Sequence, residues 1–177
     1  RIAVFTKRPV RSPYYGKWKI GDVKLDIRDL PPRDVIGIGI SPERQENQNV
    51  IKLKSVRSDH WRTLVDIIYR DKLQASDGDI GGLLGYKPQQ IQQAAAEIAA
   101  ARSNMNAVVS LLHDPNSRVL SGTVEGLRRG GIVIVDISLL SGAAGEMVAG
   151  LLLRHIFSHN QENFTGGLPI KIGRAHV

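Results

Sequence analysis

A run of apolar, β-branched residues near the end of the chain constrains the fold more than any other feature. Gly130-Gly131 precedes Ile132-Val-Ile-Val135, and Asp136 follows directly. A strand with one exposed face alternates apolar and polar residues, whereas a strand covered on both faces is continuously apolar, as in parallel sheets. We therefore expect residues 132–135 to form a central strand of a parallel sheet with both faces covered.

A helix is predicted after this run. Apolar residues recur at helical spacing over residues 143–159, and the expected buried stripe is Met147, Val148, Leu151, Leu152 and Ile156. Beyond it, Leu168-Pro-Ile170 is typical of the opening of a further strand. Strand, helix and strand in this order form a βαβ unit, so the pattern predicts the α/β fold class.

The first third of the chain, residues 1–57, has the pattern of a β-rich region. Residues 1–6 form a short β-branched run, and residues 18–27 alternate apolar and polar side chains. Residues 50–54 form another short alternating run. We assign this region to the β-rich part of an α/β core.

The middle of the chain, residues 58–118, has the pattern of a helical subdomain. Trp61, Leu64, Val65 and Ile68 recur at helical spacing, and a long helix rich in Ala and Gln is predicted over residues 89–105. Between them, residues 77–85 are rich in glycine and are predicted to form a loop. Residues 119–170 then return to the core with a short helix, the apolar strand and the helix after it.

The positive charge of the chain is concentrated at its beginning. The net charge is +7, and residues 1–57 carry 13 Lys and Arg against 6 Asp and Glu. Such a basic region is able to contact nucleic-acid phosphates, and a soluble surface that happens to be basic is the alternative. Lys52, Lys54 and Arg57 are the candidate DNA-binding residues.

Several functions are excluded by residue types or motifs that the sequence lacks. The chain has no cysteine, which excludes disulfides, thiolate zinc sites and cysteine nucleophiles. It has no run of about 20 apolar residues, and no Gly-x-Ser-x-Gly serine hydrolase motif. We expect a cytoplasmic protein without a membrane partner; because the first residue is Arg1, we also expect the natural N-terminus to lie upstream.

Asp136 is the candidate metal ligand. Four apolar residues followed by an aspartate resemble a Walker B strand, whose aspartate lies beside the Mg²⁺ of a bound nucleotide. Ile137 stands where hydrolytic motors usually carry a glutamate. An aspartate also occurs at this position simply because the chain leaves the core there, and both interpretations stay open.

Arg128 and Arg129 are candidate phosphate contacts. Two adjacent guanidinium groups before the strand are suited to a phosphate, including one held by a neighbouring subunit. The alternative is a solvated pair that the helix dipole favours at a helix end. His155 and His159 have a spacing that permits metal binding, but no third ligand is apparent, so an exposed helix face is the simpler interpretation.

The sequence contains no recognisable phosphate-binding loop for a nucleotide. No Gly-x-x-x-x-Gly-Lys-Ser/Thr motif occurs. The glycine-rich residues 78–85 lack a lysine, serine or threonine at the required offset. We interpret this segment as a linker rather than a phosphate-binding loop.

Four segments together resemble the ATPase domain of HerA-like proteins, in the FtsK/HerA superfamily. They are Arg1-Ile-Ala-Val-Phe5, Leu25-Asp-Ile-Arg-Asp-Leu30, the segment 130–140 and the segment 148–165. The resemblance covers essentially residues 1–170 and rests on the order and texture of the segments rather than on one motif. It implies a partial RecA-like P-loop NTPase parallel sheet with a mainly helical insertion.

The resemblance also implies a DNA motor. Such proteins bind ATP and Mg²⁺, form hexameric rings around DNA and couple hydrolysis to translocation, often beside a NurA-type nuclease in DNA end processing. Their Walker A loop lies before the region that matches Arg1, and their Walker B strand follows the region that matches Ile170. Asp136 then falls on the strand before Walker B, no catalytic residue carries over, and the chain alone is expected to be inactive.

Two other functions stay open from the sequence. One is a conjugation-type or secretion-type motor ATPase, which moves DNA or protein across a membrane. The other is a non-catalytic DNA-binding or scaffold module, a degenerate ATPase that still assembles into the ring but no longer hydrolyses ATP.

The last seven residues, 171–177, have a sequence that looks foreign to the rest. One codon choice for them reads AAG ATC GGA AGA GCA CAC GTC, which resembles read-through into a common short-read sequencing adapter. We expect an artefact there, with a native basic tail as the alternative. No chemistry is assigned to Arg174 or His176.

Overall fold

A parallel sheet and seven α-helices make up the part of the chain that the structure describes. The computed structural model describes residues 1–9, 17–163 and 170. The strands are β1 (Ile2–Thr6), β2 (Lys19–Gly21) and β3 (Ile132–Asp136), and the helices are α1 (Pro32–Gly39), α2 (Gln48–Lys54), α3 (Ser58–Asp71), α4 (Asp77–Leu83), α5 (Ala95–Leu112), α6 (Val119–Arg128) and α7 (Gly142–Glu162). The expected α/β class is confirmed, and the described residues are mostly helical. The predicted strand opening at Leu168-Pro169 and the residues 171–177 lie outside the described residues.

The chain divides into two compact units. The sheet unit comprises Arg1–Leu25 and Asn116–Val177, and the helical unit comprises Asp26–Pro115. The predicted boundaries, between residues 57 and 58 and between 118 and 119, divided the chain differently. Residues 26–57 belong to the helical unit because α2 packs against both α1 and α5.

The sheet has the strand order β2-β1-β3, and both pairs of strands are parallel. Ile2 lies opposite Ile132, and the register continues without a break to Thr6 opposite Asp136. The parallel direction predicted for the strand at residues 132–135 is therefore confirmed. Its consequence is that Thr6 and Asp136 meet at the carboxyl end of the sheet.

The predicted central position of β3 is wrong for the described sheet. β3 is its outer strand, and Ile132 and Ile134 are 62% and 47% exposed. Val133 faces α6, where its side chain reaches the position that a Cβ of Gly126 would occupy. The run is continuously apolar although only one of its faces is covered by described residues, so continuous hydrophobicity overestimated the burial.

Helix α6 packs close to the sheet through two glycines. A Cβ on Gly122 would lie 2.9 Å from Cζ of Phe5, and a Cβ on Gly126 would lie 2.8 Å from Cγ2 of Val133. Phe5 is completely buried. The helix ends at Arg128, and Gly130, two residues further on, has a φ of +70°, a conformation that glycine adopts without strain. These glycines fix the distance between α6 and both neighbouring strands.

Two segments of the helical unit differ from the sequence prediction. Residues 50–54 were predicted as a strand but lie in α2, where Val50 and Leu53, three positions apart, are both fully buried. Residues 77–85 were predicted as a loop but contain α4, whose first turn is capped by the Ser76 hydroxyl accepting from the Asp79 backbone N–H. Short patterns fit both helix and strand, and packing decides between them.

Helix α4 contains a glycine, Gly81, at a position where the close packing of neighbouring side chains leaves no room for a Cβ. A Cβ on Gly81 would lie 2.3 Å from Cδ1 of Ile91 and 2.9 Å from Cδ1 of Ile98, a fully buried residue of α5. The long helix α5 itself begins and ends later than predicted, at Ala95 and Leu112. Pro115 follows shortly after its last residue, as the helix-stopping role of proline requires.

Buried polar contacts fix the start of the helical unit to its core. The indole N–H of Trp61 donates to the carbonyl of Ile27 at 2.9 Å, and the backbone N–H of Ile27 lies 3.4 Å from Nδ1 of the buried His113. Arg28 donates to Asp26 at 2.6–2.8 Å. Burial opposes ionisation of Asp26, but the contacts with Arg28 outweigh it and lower the pKa of that carboxyl.

None of the described helices combines the length and the apolar composition that a membrane span requires.

The turn between α6 and β3 generates a stability prediction. A Cβ on Gly131 would lie 2.9 Å from the carbonyl oxygen of Gly126 and 3.1 Å from that of Arg1. Both atoms are backbone atoms held by hydrogen bonds, from Gly131 N–H and Ile132 N–H respectively. We expect Gly131→Ala to lower the free energy of unfolding by about 1–3 kcal/mol in urea titrations.

Gly142→Ala is the matched control, since nothing lies within 4 Å of a Cβ at that position. It should leave stability unchanged or raise it by up to about 1 kcal/mol because alanine favours the helix. Equal unfolding midpoints for the two variants would show that the turn relaxes without cost.

Candidate functional site

Four polar residues meet at the carboxyl end of the sheet, and we call them the carboxyl-end cluster: Thr6, Arg8, Asp136 and Ser138. One oxygen of the Asp136 carboxylate accepts from the Thr6 hydroxyl and from Nε of Arg8, both at 2.9 Å. The other accepts from the backbone N–H of Ser138 at 3.1 Å and from its hydroxyl at 2.6 Å. Nη2 of Arg8 also donates to the Ser138 hydroxyl oxygen at 2.9 Å.

These hydrogen bonds stabilise the ionised form of Asp136. The Ser138 hydroxyl contributes most, and burial opposes the shift. The Ser138 backbone N–H, Thr6 and Arg8 add to it, so the pKa of Asp136 falls to about 2. The carboxylate is therefore charged throughout the physiological range and is already fully hydrogen-bonded within the chain.

The arrangement of the cluster bears on the candidate metal role of Asp136. Each of its oxygens already accepts two hydrogen bonds, and one of these four bonds comes from the cationic guanidinium of Arg8. In the parts of the chain that the structure describes, no three His, Asp or Glu side chains are grouped to hold a metal ion. A cation at Asp136 would have to displace at least one of these donors, so the geometry favours the interpretation of Asp136 as a strand-end anchor.

A cleft between helices α6 and α7 gathers several of the other candidate residues, and we call it the α6–α7 cleft. Its volume is about 680 Å³. The lining residues are Ser121, Val124, Glu125, Arg128, Arg129, His155 and His159. The predicted phosphate contacts and the two histidines of α7 thus line one cavity.

The two arginines of this cleft differ in their contacts. Arg129 forms an ion pair with Glu125, one helical turn earlier. Arg128 is exposed and makes no hydrogen bond or ion pair with any residue that the structure describes. Glu125 and Arg129 also line a smaller cleft of about 220 Å³ at the amino ends of β1 and β3. Because the two clefts share these residues, the α6–α7 cleft lies toward the amino-terminal edge of the sheet.

The candidate DNA-binding residues lie in the helical unit, apart in sequence from this cleft. The ammonium of Lys52 lies 4.2 Å from the ring centroid of Tyr86, and Nζ of Lys54 donates to the carbonyl of Gln45 at 3.3 Å. Arg57 pairs with Asp59. All three cations therefore have partners within the chain, and these contacts compete with binding to a phosphate.

Sequence reasoning missed Thr6 and Arg8 of the carboxyl-end cluster. A signal for both was present, because the residues that follow parallel strands meet at one edge of the sheet. The sequence analysis also treated the histidine pair and the arginine pair as unrelated candidates, because nothing in the sequence predicts that α6 and α7 face each other across a cleft.

Comparison of the chain with protein-family models, with curated proteins and with solved structures gives no significant match. The resemblance to HerA-like ATPases therefore stays a prediction. What the structure defines is the class: an α/β protein with a small parallel sheet and a helical unit between its strands β2 and β3.

The carboxyl-end cluster generates a prediction about acid stability. Because the folded-state pKa of Asp136 lies below its ordinary value of 3.8, its contribution is complete above that value and is lost as pH falls toward 2. We expect Asp136→Asn to lower the free energy of unfolding by about 1–2 kcal/mol near neutral pH, measured by denaturant titration. The difference from the parent chain should shrink below about pH 4.

Asp22→Asn is the matched control, because Asp22 is an exposed carboxylate in the same unit, and Lys19 is its one ion-pair partner among the described residues. Its effect should stay within about 0.5 kcal/mol at every pH. A pH-independent loss in the Asp136 variant would show that shape, rather than charge, holds the cluster together.

Proposed function

We propose that this chain is part of an ATP-dependent DNA translocase or helicase that resembles HerA and works as a hexameric ring with a nuclease partner. ATP and Mg²⁺ are its expected cofactors. Because the 177 residues contain no phosphate-binding Gly-Lys-Ser/Thr loop, other segments would have to supply it. The chain would then contribute part of the sheet and the helical unit.

The parallel pairing of β1 with β3 is the observation that supports this proposal best. A parallel pair requires a crossover, and here α6 lies immediately before β3 and packs against both strands. Nucleotides bind to open α/β sheets outside the carboxyl ends of the strands. The carboxyl-end cluster occupies that edge of the sheet.

The outer position of β3 counts against one part of the proposal. A RecA-like arrangement would place this strand inside the sheet, whereas Ile132 and Ile134 are exposed. The proposal therefore depends on strand direction and on the four sequence segments, not on a central position of β3.

One observation favours the non-catalytic alternative, a DNA-binding or scaffold module. The Asp136 carboxylate is saturated by hydrogen bonds from Thr6, Arg8 and Ser138, so it is not positioned to hold a metal-bound nucleotide. A degenerate ATPase would retain such a strand-end anchor without hydrolysis.

The first test is ATP hydrolysis by the purified 177-residue chain. We expect no Mg²⁺-dependent phosphate release above the buffer blank, because the sequence lacks the loop that holds the β- and γ-phosphates. Turnover that co-elutes with the chain in gel filtration would contradict this expectation. If such turnover were lost in an Asp136→Asn variant that stays folded in thermal unfolding, the carboxylate would contribute to hydrolysis and the anchor interpretation would be wrong.

The second test is the salt dependence of DNA binding. A protein that contacts only the backbone binds without sequence preference, and the logarithm of its affinity falls with the logarithm of salt concentration by about 0.9 per phosphate contact. We expect this behaviour in fluorescence anisotropy titrations. Replacing Lys52, Lys54 and Arg57 together by Gln should reduce the slope by about one for each residue that contacts a phosphate.

The control is a variant with the same loss of charge in the helical unit, in which Arg33, Arg62 and Arg70 are replaced by Gln. Arg62 and Arg70 are exposed and pair with Asp29 and Asp71. If both triple variants reduce the slope equally, binding reflects net charge rather than a site. Sequence-specific binding that is insensitive to salt would point to another class of protein.

A further inference from the structure

We propose that the α6–α7 cleft binds a phosphate group, either free phosphate or the terminal phosphate of a nucleotide, and that His155 and His159 make this binding stronger as pH falls. The inference goes beyond the motor assignment, because it depends only on residues of this cleft. It holds equally for a catalytic and for a non-catalytic chain.

The size of the cleft suits a ligand of this class. Its volume of about 680 Å³ lies within the range of roughly 300–1,000 Å³ found for small-molecule sites. One wall is formed by α6 and the residue that follows it, with Ser121, Glu125, Arg128 and Arg129, and the other by α7, with the two histidines. A phosphate between the helices would have donors on both sides.

The charge of the lining is positive. Two arginines against one glutamate leave one net positive charge with both imidazoles neutral, and three when both are protonated. A phosphate is bound best by such forked, charge-assisted donors. The cleft therefore gains attraction for an anion with each proton that the histidines take up.

Arg128 is the donor that the cleft offers without a competing contact. Arg129 already pairs with Glu125, whereas Arg128 has no partner among the described residues. The competing explanation for Arg128 is that it only offsets the partial negative charge at the end of α6. That role would affect stability and leave anion binding unchanged, so the two explanations are separable.

The histidines give the cleft a pH-dependent charge, since imidazole is the side chain that ordinarily gains a proton between about pH 8 and pH 5. The charged groups that face them across the cleft are Glu125, Arg128 and Arg129 of α6. On α7 itself their charged neighbours in sequence are Arg154 and Glu162, and Asn163 lies 3.4 Å from Nδ1 of His159.

The first experiment compares two arginines on the same helix. Binding of inorganic phosphate and of ADP to the 177-residue chain is measured by isothermal titration, with Arg128→Gln and Arg118→Gln as matched variants. Arg118 is exposed at the opposite end of α6 and does not line the cleft. We expect about tenfold weaker binding for Arg128→Gln and no change for Arg118→Gln.

The second experiment isolates the histidines by using sulfate, whose charge does not change between about pH 8 and pH 6. Sulfate affinity should rise by about fivefold or more over that range in the parent chain. In the variant His155→Gln/His159→Gln the dependence on pH should vanish while the affinity at the higher pH is retained. Thermal unfolding of each variant shows whether it is folded.

Removing the competing carboxylate gives a change in the opposite direction. Glu125→Gln should strengthen phosphate binding, because it removes the negative charge and releases Arg129 from its ion pair. A variant that improves binding cannot be explained by misfolding. This outcome would support the site independently of the arginine comparison.

Three results would overturn the proposal. They are equal effects of the two arginine variants, sulfate binding that is independent of pH in the parent chain, and Arg128-dependent binding of a DNA oligonucleotide without binding of phosphate or ADP. Binding of ADP but not of inorganic phosphate would identify the source of the phosphate as a nucleotide and would support the proposal. ATP hydrolysis and the salt dependence of DNA binding test the motor assignment separately.

Discussion

The close packing of α6 against the sheet is the constraint on which the rest of the sheet unit depends. Gly122 and Gly126 let the helix approach Phe5 and Val133 to a distance at which any larger residue would clash. Gly130 and Gly131 then turn the chain directly into β3. Because Gly122 meets β1 and Gly126 meets β3, this approach holds α6 against both strands of the parallel pair.

The register in turn determines which polar groups meet at the carboxyl end of the sheet. Because Thr6 lies opposite Asp136, the residues that follow the two strands, Arg8 and Ser138, are brought to the same carboxylate. A partly buried carboxylate is costly unless it is hydrogen-bonded. The cluster supplies four donors, and it stabilises the strand pair that created it.

The sequence was sufficient for elements with strong periodicity, and it failed where packing decides. The parallel strand at residues 132–136, the helix after it and the helix that contains Trp61 were predicted correctly. Residues 50–54 and 77–85 were not, because tertiary packing that no local pattern reveals buries Val50 and Leu53 and brings Gly81 against Ile91 and Ile98. The α6–α7 cleft could not be predicted for the same reason, because its prediction requires knowing which faces of α6 and α7 meet.

The two polar sites of the sheet unit lie at opposite edges of the sheet. The carboxyl-end cluster follows the strands, whereas Arg128 and Arg129 precede β3, and the smaller cleft shared by Arg129 includes Arg1 and Ile132. In open α/β sheets nucleotide phosphates bind at the carboxyl edge. The phosphate that we propose for the α6–α7 cleft would therefore be separate from any ligand bound at the carboxyl ends of the strands, and its binding would leave Asp136 untouched.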